Sequence, residues 1–76
     1  MMTTPRRGDY IKIELSDNSG AKEWVWIEVD NVDEARELVF GRLDNQPIVN
    51  TDVELGAELA VKFDKILERR SFRKTQ

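Results

Sequence analysis

The sequence contains neither cysteine nor histidine among its 76 residues. The absence of cysteine excludes disulfide bonds and thiolate chemistry. The absence of histidine removes the commonest general base and, together with cysteine, the usual zinc ligands. A calcium-hand loop, a glycine-rich phosphate loop and a G-x-S-x-G motif are also missing from the sequence. We therefore predict that the protein is not an enzyme and has no catalytic residues, metal site or cofactor.

The remaining candidates for chemistry are mainly carboxylates. Asp33 with Glu34, or Asp52 with Glu54, could in principle transfer protons or hold a hard cation. Both activities require burial, which a small β domain can hardly provide. The sequence likewise indicates no small-molecule ligand.

Long hydrophobic runs are absent too. No apolar stretch approaches the roughly 20 residues that a membrane-spanning helix needs. The opening segment, "MMTTPRRGDY", has two arginines with no apolar segment behind them, so it does not resemble a secretory signal. We expect a single cytoplasmic domain whose core supplies a net stability of about 3–5 kcal/mol. Self-association or a protein partner is the remaining common source of additional stability.

Charge is distributed unevenly along the chain, although the net charge is only −3. Residues 1–7 and 69–76 contain no acidic residue, and together they hold six of the twelve Lys and Arg. Residues 8–68 therefore carry all fifteen acidic residues against six basic ones, a net charge of −9. We predict a disordered basic arm over 1–8, a single β domain over 9–68 and a basic tail over 69–76. The basic residues of the tail are Arg69, Arg70, Arg73 and Lys74.

The clearest structural signal is a β-hairpin. "YIKIEL" (10–15) alternates apolar and polar residues, and "KEWVWIEV" (22–29) does the same after the turn-forming residues "SDNSG". The second strand is apolar on one face through Val25, Ile27 and Val29. Its opposite face carries Trp24, Trp26 and Glu28. One tryptophan is expected to close a second side of the core, because tryptophans are highly buried on average, and the other to be exposed.

Two later segments have alternative interpretations. Residues 30–38 form either a short capped helix or a turn before a strand over 36–43, and we favour the turn and strand because Gly41 would be costly inside a helix. Residues 54–69 form either one helix or a strand over 58–63 followed by a closing turn or short helix in which Ile66 and Leu67 fill the core. The predicted fold is mainly β: a small, strongly bent antiparallel sheet closed as an SH3-like barrel, with one short helical or 3-10 segment. The alternative is an α+β fold with a C-terminal helix.

A set of spaced residues resembles a family of short bacterial proteins of unknown function over about residues 10–68. The pattern combines a tryptophan-led strand, G-x-L-x-N-x-P and L-G-x-x-L-x-V before a closing isoleucine. Its positions here are Trp26, Val29, Gly41, Leu43, Asn45, Pro47, Leu55, Gly56, Leu59, Val61 and Ile66. The resemblance implies a compact, mostly β domain and brings no activity or ligand. Within the pattern, Gly41 and Gly56 suit a close backbone approach or a bulge, and Asn45 and Pro47 suit a turn. Trp24 and the arginine-rich tail depart from the pattern.

Binding is the function that these features favour. Exposed aromatic residues on a strand are typical of protein-interaction surfaces, so we predict a protein-binding or homodimerising module that uses Trp24, Trp26 and Glu28. One alternative is nucleic-acid binding through the basic termini. Another is that the chain is a phage or mobile-element protein whose acidic surface inhibits a nucleic-acid-binding protein. Nucleic-acid binding on the tryptophan strand itself is disfavoured, since Glu23 and Glu28 offset Lys22. The tail residues Arg69, Arg70, Arg73 and Lys74 are secondary candidates for contacting a partner.

Overall fold

Five antiparallel strands make up the domain in the computed structural model, which describes residues 4–16, 20–48 and 54–71. They are β1 (Asp9–Ser16), β2 (Lys22–Asp33), β3 (Leu38–Leu43), β4 (Glu58–Lys62) and β5 (Glu68–Ser71). Strands account for 58% of the described residues, whose only helix is a single 3-10 turn, Phe63–Lys65. The mainly β prediction is confirmed. A helix over 30–38 or 54–69 is wrong, because both segments contain strands that pair with β3.

The strands form one sheet in the order β4-β3-β2-β1-β5. The first four strands follow one another as a meander, and the chain then crosses through the 3-10 turn to place β5 on the far side of β1. In the described part of the chain β4 and β5 are the two edges, and no ladder joins them. The predicted barrel closure is therefore replaced by an open sheet.

The inner face of the sheet forms the core, as the alternation of β1 and β2 predicts. Ile11 lies opposite Ile27 and Ile13 lies opposite Val25, so four large aliphatic side chains meet at the centre. The other strands and the crossover add further aliphatic residues. The buried apolar residues are Ile11, Ile13, Val25, Ile27, Val29, Val39, Leu43, Val61 and Ile66. Leu67, expected beside Ile66 in the core, is instead exposed.

A β-bulge interrupts the pairing of β2 with β3. Val29 lies opposite Gly41, whereas Asn31 lies opposite Phe40, so Asp30 is the extra residue. Gly41 is buried against the neighbouring strand at this point. A Cβ atom on Gly41 would collide with the carbonyl oxygen of Glu28 and lie 2.6 Å from Cγ2 of Ile27. Only glycine fits here, which confirms the close backbone approach expected at this position.

The connection after β3 is fastened to the sheet by hydrogen bonds at both of its described ends. The Oδ1 atom of Asn45 accepts a 2.7 Å hydrogen bond from the backbone N–H of Trp26. Near the other end, Gly56 has a φ of 85° and its N–H donates to the carbonyl oxygen of Leu43. A left-handed φ favours glycine in a turn, and nothing lies within 4 Å of a Cβ atom built on Gly56. The close approach expected at Gly56 is therefore wrong, and its backbone conformation explains the glycine.

The two ends of the described chain meet at Asp9, which is buried. Its carboxylate accepts hydrogen bonds from the backbone N–H of Arg6 and the hydroxyl of Ser71, and it lies 3.7 Å from Arg69. The predicted domain ends at residue 68, whereas β5 continues to Ser71 and takes Arg69 and Arg70 into the sheet. In the predicted arm, Pro5 is buried and the N–H of Gly8 donates to Val29; residues 1–3 lie outside the described part.

Candidate binding face of the sheet

The surface opposite the core carries most of the aromatic residues of β1, β2 and β5. Strand register aligns Lys12 with Trp26, Tyr10 with Glu28 and Glu14 with Trp24. On the other side of β1, Lys12 lies opposite Glu68 and Tyr10 lies opposite Arg70. We call this surface the outer face; its residues are Tyr10, Lys12, Glu14, Trp24, Trp26, Glu28, Glu68 and Arg70.

Both tryptophans lie on the outer face, and neither belongs to the core. Trp24 is 67% exposed, while Trp26 is half-buried between β1 and the connection after β3. The expectation that one tryptophan is exposed holds for Trp24. The expectation that the other closes a second side of the core is wrong: among the described residues, the ring of Trp26 contacts Lys12 and Arg70, and Trp26 is not one of the side chains packed against the core cluster. A surface indole therefore lies beside a partly sheltered one.

Lys12 contacts both indole rings. Its Nζ atom is 4.9 Å from the ring centroid of Trp24 and 5.7 Å from that of Trp26, within the range of a cation–π interaction. The same ammonium lies 3.3 Å from a carboxylate oxygen of Glu68 on β5. Lys12 thus ties the tryptophans of β2 to the edge strand and limits the motion of both rings.

Arg70 reaches across β1 to the ring of Trp26. Its guanidinium carbon is 5.4 Å from the ring centroid of Trp26, and its Nε donates a 2.9 Å hydrogen bond to Glu68. Hydrogen bonds from Arg70 and Lys12 hold the pKa of the Glu68 carboxyl below its usual value. Lys12 and Arg70 therefore both contact the Glu68 carboxylate and the Trp26 indole, and these shared contacts order the outer face.

A cleft of about 410 Å³ opens beside Trp26, lined by Tyr10, Trp26, Asp44 and Arg70. Asp44 is positioned by its backbone N–H, which donates a 2.8 Å hydrogen bond to the carbonyl oxygen of Trp26. The pKa of the Tyr10 phenol is raised above its ordinary value by the nearby carboxylates of Glu28 and Asp44 and, to a smaller extent, by partial burial. These two carboxylates therefore disfavour the ionised form of the phenol.

The remaining predicted binding residues divide between two environments. Glu28 lies on the outer face next to the cleft, as expected. Arg69 points instead to the chain ends, where it contacts Asp9 and donates to the carbonyl oxygen of Thr4. Arg73 and Lys74 lie outside the described residues, so the structure gives no position for them.

Sequence reasoning missed four residues of the outer face, Tyr10, Lys12, Glu14 and Glu68, and one residue of the cleft, Asp44. The alternation of "YIKIEL" already places Tyr10 and Lys12 on the face opposite the core, so that signal was available. Asp44 and Glu68 join the surface through the turn after β3 and the return of β5. Neither the turn after β3 nor the return of β5 leaves a local pattern in the sequence.

The carboxylate pairs do not form a metal site among the residues that the structure describes. No group of three or more Asp and Glu is placed there to hold an ion. Asp33 accepts a hydrogen bond from the backbone N–H of Arg36 and so stabilises the turn between β2 and β3. Asp52 lies outside the described ranges. Within those ranges, no helix has the length and apolar character required to span a membrane.

Comparison with known proteins supports the resemblance. A family model described as "Uncharacterized protein conserved in bacteria (DUF2314)" matches residues 5–75. The match includes the whole sheet and the segment of the recognised pattern, which confirms the predicted relationship to short bacterial proteins of unknown function. No curated protein and no solved structure shows significant similarity to the chain.

Proposed function

Because the chain belongs to DUF2314, a bacterial family without a characterised activity, we propose its function from the outer face: it is a non-enzymatic protein-binding module. Trp24 and Trp26 form the contact surface, and Lys12 and Arg70 hold them in place. The single observation that carries this proposal is the 67% exposure of Trp24 on a strand of the sheet, directly beside a second indole. We place this function in the bacterial cytoplasm.

The cation–π contacts support binding because they order the surface before a partner arrives. Large aromatic side chains dominate the energy of protein interfaces. Association is also favoured when side chains need not be immobilised on binding. Lys12, within 6 Å of both indole centroids, supplies that order while Trp24 remains 67% exposed.

The arrangement of the basic residues favours a protein partner over a nucleic acid. Arg69 is engaged with Asp9 and the Thr4 carbonyl, and Arg70 with Glu68 and Trp26. Both arginines therefore already pair with a carboxylate within the domain. The carboxylates around Tyr10 would also repel a phosphate backbone.

The sheet itself supports the choice of a small binding fold. A meander whose last strand returns beside the first through a 3-10 turn is the arrangement expected of an opened SH3-like barrel. We propose this description for the open five-stranded sheet. It leaves the outer face of β1 and β2 accessible to a partner.

Site-specific photo-crosslinking in a bacterial host tests the proposal. A photoreactive amino acid replaces Lys22, which is exposed and two residues before Trp24 on β2, so both tryptophans remain intact. The matched control carries the same amino acid at Lys62, which is exposed on the edge strand β4. We expect one defined protein to crosslink at position 22 and not at position 62.

Competition then links the crosslink to the indoles. Excess unlabelled wild-type protein should suppress it, whereas Trp24→Ala at the same concentration should not. Sedimentation equilibrium of the wild type first determines whether the captured protein is a second copy of the chain. Equal crosslinking at both positions, or equal competition by Trp24→Ala, contradicts the proposal.

A further inference from the structure

We propose that the cleft beside Trp26 receives a cationic side chain, arginine or lysine, from a basic segment of the protein partner. This inference rests on the proposed function and specifies the chemistry of the partner. It assigns separate tasks to the two tryptophans. Trp24 contributes exposed contact area, and Trp26 with Tyr10 and Asp44 forms the pocket that selects the partner's charge.

The geometry of the cleft suits a flat or extended cation. Its volume of about 410 Å³ lies in the range of pockets that hold small ligands or single side chains. Its aromatic lining consists of an indole and a phenol, whose faces attract cations through their negative quadrupoles. Asp44 stands at the rim, where a carboxylate can pair with the charged end of an entering side chain.

Of the charges around the cleft, the carboxylates of Glu28 and Asp44 favour a cation, whereas Arg70, which also lines the cleft, is positive. Glu28 and Asp44 act together on Tyr10, so a positive group placed near the phenol meets two carboxylates. Residues 8–68 carry a net charge of −9, which extends this local preference to a long-range attraction for basic partners. A carboxylate or phosphate entering the same cleft would meet repulsion from Asp44 and Glu28.

Arg70 shows how a cation occupies this site, because its guanidinium already lies over the Trp26 ring. Its side chain is 59% exposed and comes from an edge strand, so it can swing away while remaining paired with Glu68. A partner's cation would have to displace it. Arg70 therefore acts as an internal competitor, and its removal should strengthen binding.

An NMR titration of the Trp24→Phe protein tests the inference, since Trp26 then provides the only indole N–H signal. The probes are N-acetyl-arginine methylamide, the corresponding citrulline derivative, which is neutral and similar in shape, and N-acetyl-glutamate methylamide. We expect the arginine probe to shift the Trp26 signal with a saturable dependence on concentration. The citrulline and glutamate probes should bind much more weakly.

Four substitutions then separate a cation site from its alternatives. In the Trp24→Phe background, Arg70→Gln should strengthen binding of the arginine probe about two- to fivefold, because the exposed internal cation–π contact no longer competes. Asp44→Asn and Glu28→Gln should each weaken binding by up to about fivefold. Glu14→Gln removes a carboxylate of the outer face that neither lines the cleft nor acts on Tyr10, so this substitution should leave the affinity unchanged.

The opposite results would overturn the inference. Weaker binding in Arg70→Gln, or tighter binding of the glutamate probe, would identify an anion site in which Arg70 is a ligand. Equal binding of arginine and citrulline probes would show that charge is not recognised, and an unshifted Trp26 signal would show that the cleft is not a site. If the Trp24-dependent crosslink persists despite such a result, only this inference fails; if the crosslink is absent, the proposed function fails.

Discussion

The two faces of the β1–β2 hairpin are held together by different physical means. On the inner face, Ile11, Ile13, Val25 and Ile27 are buried, and the nine buried hydrophobic side chains in the described part of the chain are all aliphatic. On the outer face, aromatic rings are fixed by ammonium, guanidinium and carboxylate groups that remain partly in water. The same two strands thus carry a buried aliphatic core on the inner face and a partly solvent-exposed aromatic surface on the outer face.

The difference shows which face maintains the fold and which face is available for recognition. Aliphatic burial is non-directional and contributes most of the stability of a small domain. Cation–π and ion-pair contacts at a surface contribute little stability but fix the orientation of the rings. Changes on the inner face should therefore affect folding, whereas changes on the outer face should affect binding.

Ile27→Ala should have the largest effect, because Ile27 is fully buried at the centre of the core. Truncation of such a residue costs about 2–5 kcal/mol. This loss is comparable with the whole stability expected for the domain, about 3–5 kcal/mol. Urea denaturation followed by circular dichroism should show a largely unfolded protein. The control is Trp24→Ala on the same strand, which should remain folded; equal destabilisation by both substitutions would contradict the comparison.

Gly41→Ala should be the next most damaging change. The added Cβ would meet the Glu28 carbonyl and the Ile27 side chain, and such overpacking costs about 1–3 kcal/mol or more. Gly20→Ala provides the control, since Gly20 has a φ of 88° but nothing within 4 Å of an added Cβ. Thermal unfolding should show a larger loss for Gly41→Ala than for Gly20→Ala. A larger loss at Gly20 would mean that backbone conformation matters more than the close approach at the bulge.

Lys12→Gln should have a moderate effect of about 1 kcal/mol on stability, because the substitution removes cation–π contacts and one partly exposed ion pair. Its effect on the tryptophans should be clearer, with greater quenching of their fluorescence by iodide as the rings become mobile. Lys22→Gln, a substitution at an exposed position on β2, should change both the stability and the iodide quenching much less than Lys12→Gln does. Unchanged quenching in Lys12→Gln would show that Lys12 does not order the rings.

The smallest effect is expected from ionisation of Tyr10, the sole tyrosine of the chain. Its pKa is raised in the folded state, so the folded protein retains the phenolic proton more strongly than the unfolded chain does. This contribution to stability is present below about pH 10 and is lost as the pH rises through the folded-state pKa. Ultraviolet absorbance should show a raised titration midpoint. The midpoint should fall most in Glu28→Gln and less in Asp44→Asn. If it changes in neither variant, the two carboxylates are not the cause of the raised pKa.

Much of the inner face could be predicted because its signal is local. The alternation of 10–15 and 22–29 determines both strands and the direction of every side chain, and G-x-L-x-N-x-P indicates the close approach at Gly41 and the turn at Asn45. The turn before β3 and the strand at β4 follow from similar short patterns. These features depend on residues that are close together in the sequence.

The cleft and β5 could not be predicted in the same way. "ERRS" has no apolar alternation, and it becomes a strand because the edge of β1 offers hydrogen-bonding partners about 60 residues away in the sequence. Only that return brings Arg70 over Trp26 and Glu68 beside Lys12. The bulge at Asp30 is likewise a property of the pairing between strands, not of either strand alone.

The pairing of β5 with β1 also has a kinetic consequence. All other ladders join strands that are consecutive in the chain, whereas Asp9 and Ser71 are 62 positions apart. Closing so long a loop costs entropy, and only a formed meander offers β5 the contacts that offset this cost. We therefore expect this ladder to form after the folding barrier. Contacts formed after the barrier affect the unfolding rate more than the folding rate. In stopped-flow experiments, Asp9→Asn should accelerate unfolding and leave refolding almost unchanged, which makes the buried Asp9 carboxylate a determinant of the lifetime of the native state.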